Sequence, residues 1–194
     1  DRGEITHFVL LMEDISEHKA QEETIWRQAN YDSLTALPNR TLFAQRLSQA
    51  LGQAESNDAV CALFYIDLDG FKAVNDTHGH AAGDLLLQEV AQRLLACVRD
   101  SDTVARLGGD EFAIILSQVS GHDGARHVAE HVVRTLRQAF LLNGEVAHVS
   151  GSIGIAFYPT HAATADALMR AADAAMYAVK AEGKGSYRFA ANDA

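Results

Sequence analysis

The sequence predicts an α/β (α+β) fold in which helices flank a central sheet. Segments with strand-like patterns alternate with segments whose apolar residues have helical spacing, which is typical of helices packed on a sheet. Residues 59–66 form a nearly unbroken apolar run of strand length, as expected of a central strand. Residues 103–107 and 111–116 flank Gly108-Gly109, which favours an antiparallel hairpin because glycine accepts the positive φ angles of tight turns.

The first 30 residues differ in pattern from the rest of the chain. Residues 3–12 are strand-like, and Asp14 and Glu17 have the spacing of an N-cap and its return partner. A helix is therefore expected from Ile15 to about Asn30, with a mostly polar surface and too few apolar positions for a heptad repeat. We interpret residues 1–14 as the last strand of an upstream domain, residues 15–30 as a helical linker and residues 31–194 as the main domain.

The main domain continues with alternating helices and strands. Its first helix follows Pro38, where apolar residues recur on one helical stripe. Further helices are expected at residues 79–99, 123–141 and 165–182. Further strands are expected at residues 146–157 and 187–189.

The composition excludes several classes of protein. The chain has 194 residues, of which 48% are hydrophobic and 22% charged, and it contains no apolar run long enough to cross a bilayer. Its net charge of −10 argues against nucleic-acid binding, which needs a basic surface. Cys61 and Cys97 are expected in the core of a protein from a reducing compartment. We expect a cytoplasmic domain without direct membrane contact, and a membrane anchor upstream of Asp1 stays open.

Two pairs of acidic residues are candidates for a metal site. Asp67 and Asp69 follow the apolar run two residues apart, so their side chains share a face at the edge of the sheet. Asp110 and Glu111 lie at the tip of the hairpin and would meet the first pair if the two strands were neighbours. Carboxylates about 4 Å apart repel by roughly 4 kcal/mol at an effective dielectric constant near 20, so such a cluster usually holds a cation. Oxygen ligands favour Mg²⁺ or Mn²⁺ over zinc. Taken alone, however, either pair is better explained as solvated surface groups.

Five motifs in order resemble one known family. Gly108-Gly109-Asp110-Glu111-Phe112 is the signature of the GGDEF family of diguanylate cyclases. The other motifs are DSLTALPNR at residues 32–40, DLDGFKAVND at 67–76, HGH with a following GD at 78–84, and ADAAMYAVK at 172–180. The resemblance spans about residues 31–189. It implies a GGDEF catalytic domain with a mainly antiparallel sheet of about five strands, similar to nucleotidyl cyclases and polymerase palm domains.

The resemblance also implies a reaction and a catalytic centre. Two GTP molecules would be joined into cyclic di-GMP, with release of two pyrophosphates, by attack of a 3′-hydroxyl on an α-phosphate. Asp67, the backbone carbonyl of Leu68 and Asp110 would hold two Mg²⁺ or Mn²⁺ ions per active site, with Glu111 as a further ligand. Asp110, Glu111 and Lys72 are the implied catalytic residues.

The implied substrate-binding residues divide by chemistry. Asn75 and Asp84 match the positions that read guanine, because a carboxylate accepts from its adjacent N–H donors and an amide both donates and accepts. The remaining matches are Phe71 and His80 beside the substrate, and Lys72, Lys180 and Lys184 facing its phosphates.

Arg99 and Asp102 resemble the Arg-x-x-Asp site at which the product cyclic di-GMP inhibits family members. An arginine can bind phosphate or a guanine edge with two parallel hydrogen bonds. The alternative is a surface ion pair that closes a helix.

The resemblance further implies a homodimer, because each site would present one GTP. Residues 5–16 resemble the last strand and exit motif of PAS sensor domains, so we expect an upstream sensor to control pairing of the linker helices. Two other functions stay open. One is a non-catalytic module that binds GTP or cyclic di-GMP and regulates an attached domain, and the other is a cyclase for a different nucleotide pair.

Overall fold

The computed structural model describes residues 16–191, apart from the side chains of His18 and Ala20. The predicted strand and PAS-like segment at residues 1–14 lie outside the described residues. The helices are α1 (Ser16–Asn30), α2 (Arg40–Asn57), α3 (Phe71–His78), α4 (His80–Ala96), α5 (Gly121–Leu136) and α6 (Ala165–Glu182). The strands are β1 (Cys61–Asp69), β2 (Thr103–Gly108), β3 (Glu111–Leu116), β4 (Phe140–Leu142), β5 (Glu145–Ala147), β6 (Ser150–Tyr158) and β7 (Tyr187–Phe189).

Five strands form the main sheet in the order β2-β3-β1-β6-β7. All neighbouring strands are antiparallel except β6 and β7, which are parallel. The strand β1, which the apolar run predicts, lies at the centre and is buried along its whole length. The predicted mainly antiparallel sheet of about five strands flanked by helices is therefore confirmed.

The two faces of β1 enter two separate apolar cores. Ala62, Phe64, Ile66 and Leu68 belong to the core that also contains residues of α4 and α5. The alternate residues Cys61, Leu63 and Tyr65 belong to the core with α2 and α6. Because side chains alternate along a strand, Asp67 and Asp69 continue this second face beyond the apolar residues. The two acids therefore face the end of α6.

The start of α2 is set by a side-chain cap. The Asn39 side chain accepts hydrogen bonds from the backbone N–H groups of Thr41 at 2.9 Å and Leu42 at 3.1 Å. An N-cap of this kind satisfies donors that have no partner within the helix. Asn39 also joins α2 to α1, because its side-chain amide donates to the Ala29 carbonyl and its N–H donates to the Asn30 carbonyl, both at 2.9 Å.

In this part of the chain one helix was not predicted and one prediction needs correction. The segment after Asp69 is a separate helix, α3, which the apolar periodicity did not reveal. Gly79, with φ of +82°, separates α3 from α4, and α4 ends at Ala96, short of the predicted Arg99. A positive φ interrupts the helical backbone, so α3 and α4 are two helices instead of one.

The helix predicted for residues 123–141 is wrong at its C-terminal end. The helix α5 ends at Leu136, and residues 140–147 form the β4–β5 hairpin instead. The cause lies on α4, where the Arg93 guanidinium donates to the carbonyls of Thr135, Gln138 and Ala139 at 2.8 to 3.2 Å. The same guanidinium lies 3.7 Å from the centroid of the Phe140 ring. These contacts satisfy the carbonyls at the helix end, where a cation is also favourable. Among residues 16–191 we find no helix with the length and apolar character of a membrane span.

Candidate active site

The candidate site lies where β1 ends beside the β2–β3 hairpin. The register pairs Asp67 with Glu111 across the sheet, and the Leu68 N–H donates to the Asp110 carbonyl at 3.2 Å. Gly70, with φ of +88°, then turns the chain from β1 into α3. A glycine suits this turn because other residues rarely adopt a positive φ. The predicted convergence of the hairpin acids on the end of the apolar strand therefore occurs.

One cavity of about 420 Å³ lies at this junction. Two predicted metal-binding carboxylates, those of Asp67 and Asp110, line it together with Leu68 and Phe71. Three lysines from separate elements also line it: Lys72 from α3, Lys180 from α6 and Lys184 from the loop after α6. Two further carboxylates, those of Asp69 and Asp76, belong to the same lining. The cavity thus combines carboxylates that can hold cations with ammonium groups that can hold phosphates.

Asp67 is an acid of this cavity whose pKa is shifted by its surroundings. Burial raises its pKa, and the neighbouring charges of Asp110 and Asp69 raise it further. The Lys180 ammonium, 2.7 Å from Asp67 Oδ2, lowers the pKa but leaves it above the ordinary value of an aspartate. One lysine therefore does not offset the burial of this carboxylate together with the charges of its acidic neighbours. A divalent cation would do so more fully.

The oxygen groups present fit magnesium or manganese. Within residues 16–191, no three side chains of the His, Cys, Asp and Glu types are grouped closely enough to form a complete metal cage. Asp67, Asp110 and the Leu68 carbonyl would supply part of a coordination shell. Mg²⁺ is usually held in this way, by one or two carboxylates together with waters and substrate phosphates. The carboxylates and the carbonyl at this junction are therefore compatible with a Mg²⁺ ion that takes its other ligands from water and a nucleotide.

Asp69 shares a face with Asp67 but has different partners. Its carboxylate accepts hydrogen bonds from the hydroxyls of Ser150 and Ser152 and from the Gly185 N–H, at 2.9 to 3.0 Å. Asp69 therefore binds neighbouring loop and strand groups, although it lies at the wall of the cavity.

Glu111, a predicted metal ligand and catalytic residue, is not among the residues that line the cavity. Its carboxylate lies 3.4 Å from Arg40 Nη2, and Arg40 Nε also donates to the Leu107 carbonyl at 3.2 Å. Burial of Tyr65, and next the charge and hydrogen bonding of Glu111, raise the pKa of the tyrosine to about 12. These contacts attach Glu111 to α2 and β1, and its metal-binding role stays a prediction.

Arg106 and Asp32 form a contact that the sequence did not reveal. Arg106 Nη1 lies 3.0 and 3.1 Å from the two Asp32 carboxylate oxygens, and its Nε and Nη2 donate to the Gly109 carbonyl at 3.1 and 2.8 Å. Burial would raise the pKa of Asp32, but hydrogen bonds from Thr35 and the nearby Arg106 lower it overall. The pair therefore holds the glycine turn that presents Asp110. The sequence feature that could have indicated this contact is Arg106 itself, the one charged residue of β2.

The predicted guanine-reading residues lie on α3 and α4, and α3 also supplies Lys72 to the cavity. Asn75 follows Lys72 by one helical turn on α3 and packs against Gly83 of α4. A Cβ at Gly83 would lie 1.9 Å from Asn75 Oδ1, so only glycine leaves room for this side chain. Asn75 Oδ1 is buried without a hydrogen-bond partner among the described residues. Asp84 and His80 are exposed on the same helix pair.

A family model described as "Diguanylate cyclase, GGDEF domain" matches residues 29–186. The chain belongs to the GGDEF family of diguanylate cyclases. The match includes all the motifs on which the sequence-based assignment rests, from the DSLT segment to the loop after α6.

Individual GGDEF proteins support this assignment. The chain is 47% identical to the bifunctional diguanylate cyclase/cyclic di-GMP phosphodiesterase MucR of Pseudomonas aeruginosa. The match extends over 171 residues, which are 88% of this chain and 25% of MucR. The chain is 42% identical to the diguanylate cyclase TpbB of the same species. This match extends over 188 residues and covers 94% of this chain and 43% of TpbB. The crystallised GGDEF domain of TpbB matches with a TM-score of 0.82 and 44% identity, covering 84% of this chain and 95% of that domain. The chain thus spans a quarter to under half of these curated relatives.

The predicted inhibitory residues of this GGDEF domain lie together and do not line the cavity beside Asp67. The Arg99 N–H donates to Asp102 Oδ2 at 3.1 Å, and the Asp102 N–H donates to the Arg99 carbonyl at 2.9 Å. Both residues line a separate cavity of about 130 Å³ next to the start of α5. These contacts use only the backbone N–H and carbonyl of Arg99. Arg99 is an exposed residue.

Proposed function

We propose that this domain is an active diguanylate cyclase that converts two GTP molecules to cyclic di-GMP and two pyrophosphates. The observation that carries the proposal is the single cavity in which Asp67 and Asp110 meet Lys72, Lys180 and Lys184. A GTP triphosphate with its divalent cations has the matching charges. The acids and the lysines together in one cavity indicate a nucleotide triphosphate site more specifically than the acids or the lysines alone.

Each group of the cavity has a distinct task in this proposal. Divalent cations held by Asp67, Asp110 and the Leu68 carbonyl would polarise the α-phosphate and lower the pKa of the attacking 3′-hydroxyl. Lys72, Lys180 and Lys184 bind the triphosphate and offset its charge as pyrophosphate leaves. The Asp110 carboxylate accepts the hydroxyl proton. Glu111, held by Arg40, contributes negative charge beside the hairpin turn.

Asn75 and Asp84 select guanine. The buried Asn75 Oδ1 lacks a donor, and a guanine edge brings N–H groups that can supply one. Adenine has no N1–H or 2-amino donor and carries its amino group at C6, so in the position of guanine it would leave this buried atom unpaired, which costs about 1 to 3 kcal/mol. Phe71 and His80 flank the substrate in this arrangement.

The proposal requires two copies of the domain, because one cavity binds one GTP and the product joins two. The exposed residues Ile25 and Trp26 on α1 provide apolar surface for pairing of the linker helices. Arg99 and Asp102 would bind the product and inhibit the reaction, since the exposed guanidinium can bind a phosphate with two hydrogen bonds.

A second candidate function is a nucleotide-binding module that regulates an attached domain without turnover. The bifunctional relative MucR, of which the match covers only a quarter, makes an attached domain a reasonable expectation. The intact acids and lysines of the cavity favour the active cyclase.

The test is product analysis with the chain, GTP and Mg²⁺. We expect cyclic di-GMP from the wild type, and a loss of about 100-fold or more for Asp110→Ala, since one such group typically contributes 10²–10³-fold. Asp123→Asn is the matched control, because Asp123 lies on α5 with its side chain 83% exposed. A dimeric wild-type chain that binds GTP and yields no cyclic di-GMP would overturn the cyclase proposal in favour of the regulatory module.

A further inference from the structure

We infer that Asp69 is a positioning residue that holds the loop at residues 183–186, so that Lys184 faces the phosphate cavity. Asp69 is thereby distinguished from its neighbour Asp67, although both acids lie on one face of β1. The inference rests on the proposed function for the ligand that Lys184 binds, because that ligand is taken to be a nucleotide triphosphate.

The contacts of Asp69 leave little of its carboxylate for a metal ion. Asp69 Oδ2 accepts from the Ser150 hydroxyl at 2.9 Å and from the Gly185 N–H at 3.0 Å. The Ser152 hydroxyl lies 2.9 Å from Oδ1 and 3.0 Å from Oδ2, and Ser152 is completely buried. Three donors from β6 and the loop therefore converge on one side chain that is itself only 9% exposed.

The loop is also held from its other side. Arg137 Nη2 donates to the Gly185 carbonyl at 2.6 Å. The Lys184 N–H donates to the Val179 carbonyl at 3.0 Å, and the Ser186 carbonyl accepts from the Ile153 N–H at 3.0 Å. The peptide groups around Gly185 are thus bonded to β1, α5, α6 and β6. Asp69 is the member of this set that touches the cavity wall.

The backbone of the loop explains why it needs these bonds. Lys184 has φ of +65°, in the left-handed region that side-chain-bearing residues rarely adopt. Gly183 and Gly185, with φ of +128° and +61°, flank it. A Cβ at Gly185 would lie 3.1 Å from Ser150 Oγ and 3.4 Å from Arg137 Nη2, so the loop packs closely against its own anchors. Loss of an anchor should let Lys184 relax and move its ammonium from the cavity.

Asp67 provides the contrast within the same strand. Its carboxylate pairs with the Lys180 ammonium at 2.7 Å, and Lys180 is a flexible side chain that can move to a phosphate when a cation arrives. Asp69 instead accepts from a backbone N–H, which cannot leave without moving the loop. The chemistry of the partners therefore assigns metal binding to Asp67 and positioning to Asp69.

The test measures binding of α,β-methylene-GTP, which does not turn over, in the presence of Mg²⁺. The variants are Asp69→Asn, Lys184→Ala, the double variant, and Asp123→Asn as a charge-matched control. We expect each single variant to bind about tenfold more weakly and the double variant to bind no more weakly than either, because both changes remove the same lysine contact. The control should bind as the wild type does.

Binding of the same analogue, measured at increasing Mg²⁺ concentration, distinguishes an aspartate that binds the metal from one that positions the loop. We expect Asp69→Asn to leave the half-saturating Mg²⁺ concentration within about twofold of the wild type, whereas Asp67→Asn raises it about tenfold or more. Asp69→Asn should also speed hydrogen exchange of the Gly185 N–H. If Asp69→Asn does not fold, Arg137→Met is used instead, because it releases the Gly185 carbonyl. Arg137→Met should weaken binding of the analogue, and adding Lys184→Ala to it should weaken binding no further.

Three results would overturn the inference. One is wild-type affinity in Asp69→Asn, and another is losses that multiply to about 100-fold in the double variant. The third is a raised Mg²⁺ requirement in Asp69→Asn. If the wild type binds the analogue but makes no cyclic di-GMP, the cyclase proposal fails and the positioning result still stands. A wild type that does not bind the analogue contradicts both.

Discussion

Gly83 and Asn75 show how a single absent methyl group can shape a binding site. The three atoms nearest to a Cβ built at Gly83 all belong to the Asn75 side chain, the closest of them Oδ1 at 1.9 Å. Because a side chain can rotate where a backbone cannot, a methyl group at this position would displace the Asn75 amide and leave the helices in place.

Substitution of Gly83 therefore tests guanine recognition without removing any polar group. We expect Gly83→Ala to weaken GTP binding about tenfold and to reduce the preference for GTP over ATP, with little change in the free energy of unfolding. Competition binding of the two nucleotides and urea denaturation measure these effects. Gly52→Ala, at an exposed helical glycine with no neighbouring atom within 4 Å, is the control and should bind GTP normally. An unchanged GTP preference in Gly83→Ala would show that Asn75 does not read the base.

At the scale of elements, the contact between α6 and β6 places Lys180 at the cavity. Gly154 on β6 lies directly beneath α6, where a Cβ would lie 1.9 Å from the Ala172 carbonyl oxygen and 2.3 Å from the Met176 nitrogen. These are backbone atoms, so any side chain at Gly154 must push the whole helix away. The glycine is required by close packing.

Two glycine-to-alanine substitutions should therefore have opposite effects on stability. We expect Gly154→Ala to lower the free energy of unfolding by about 1 to 3 kcal/mol, as overpacked cores do, and to reduce activity because α6 carries Lys180. Gly52→Ala on the exposed face of α2 should raise it by about 0.5 to 1 kcal/mol, because alanine is the better helix former. Urea denaturation of both variants measures the difference. Equal stability of Gly154→Ala and the wild type would contradict the close approach of α6.

At the scale of the whole molecule, a chain of contacts joins α1 to the hairpin that carries Asp110. The Tyr31 and Pro38 backbones form a β-bridge after α1, and Asp32 in the turn between them bonds Arg106. Arg106 in turn donates to the Gly109 carbonyl at 2.8 Å. A rotation of α1 would therefore be expected to act on the glycine turn that presents Asp110.

The exposed apolar residues of α1 test the requirement for two copies. Ile25 is 65% exposed and Trp26 is 50% exposed. We expect the double variant Ile25→Ala/Trp26→Ala to self-associate at least tenfold more weakly, because full burial of even one such side chain contributes roughly 1.5 kcal/mol or more. Its activity should fall at low protein concentration and recover at high concentration. Sedimentation and initial rates against concentration measure this, with the exposed Gln21→Ala as control. Unchanged sedimentation would remove α1 from the dimer interface.

Local patterns were sufficient for several elements of the fold. The predicted helix at residues 165–182 and strand at residues 187–189 match α6 and β7, and the hairpin around Gly108 was identified from its glycine pair. These elements depend on helical spacing, strand length and turn residues, which are properties of neighbouring positions along the chain. By contrast, the end of α5 is set by Arg93, which lies more than 40 residues earlier in the sequence.

The sequence by itself determined the family and the sheet class, and it predicted acids and lysines that line one cavity, because motif residues and periodic patterns are written locally in the chain. Only the tertiary structure separated Asp69 from Asp67 and attached Glu111 to Arg40. It also joined Arg106 to Asp32 and placed Asn75 against Gly83. The reason is that a carboxylate or an amide acquires its role from its partners, and those partners come from strands and helices distant in sequence. Identical residue types two positions apart can therefore face different groups and have different functions.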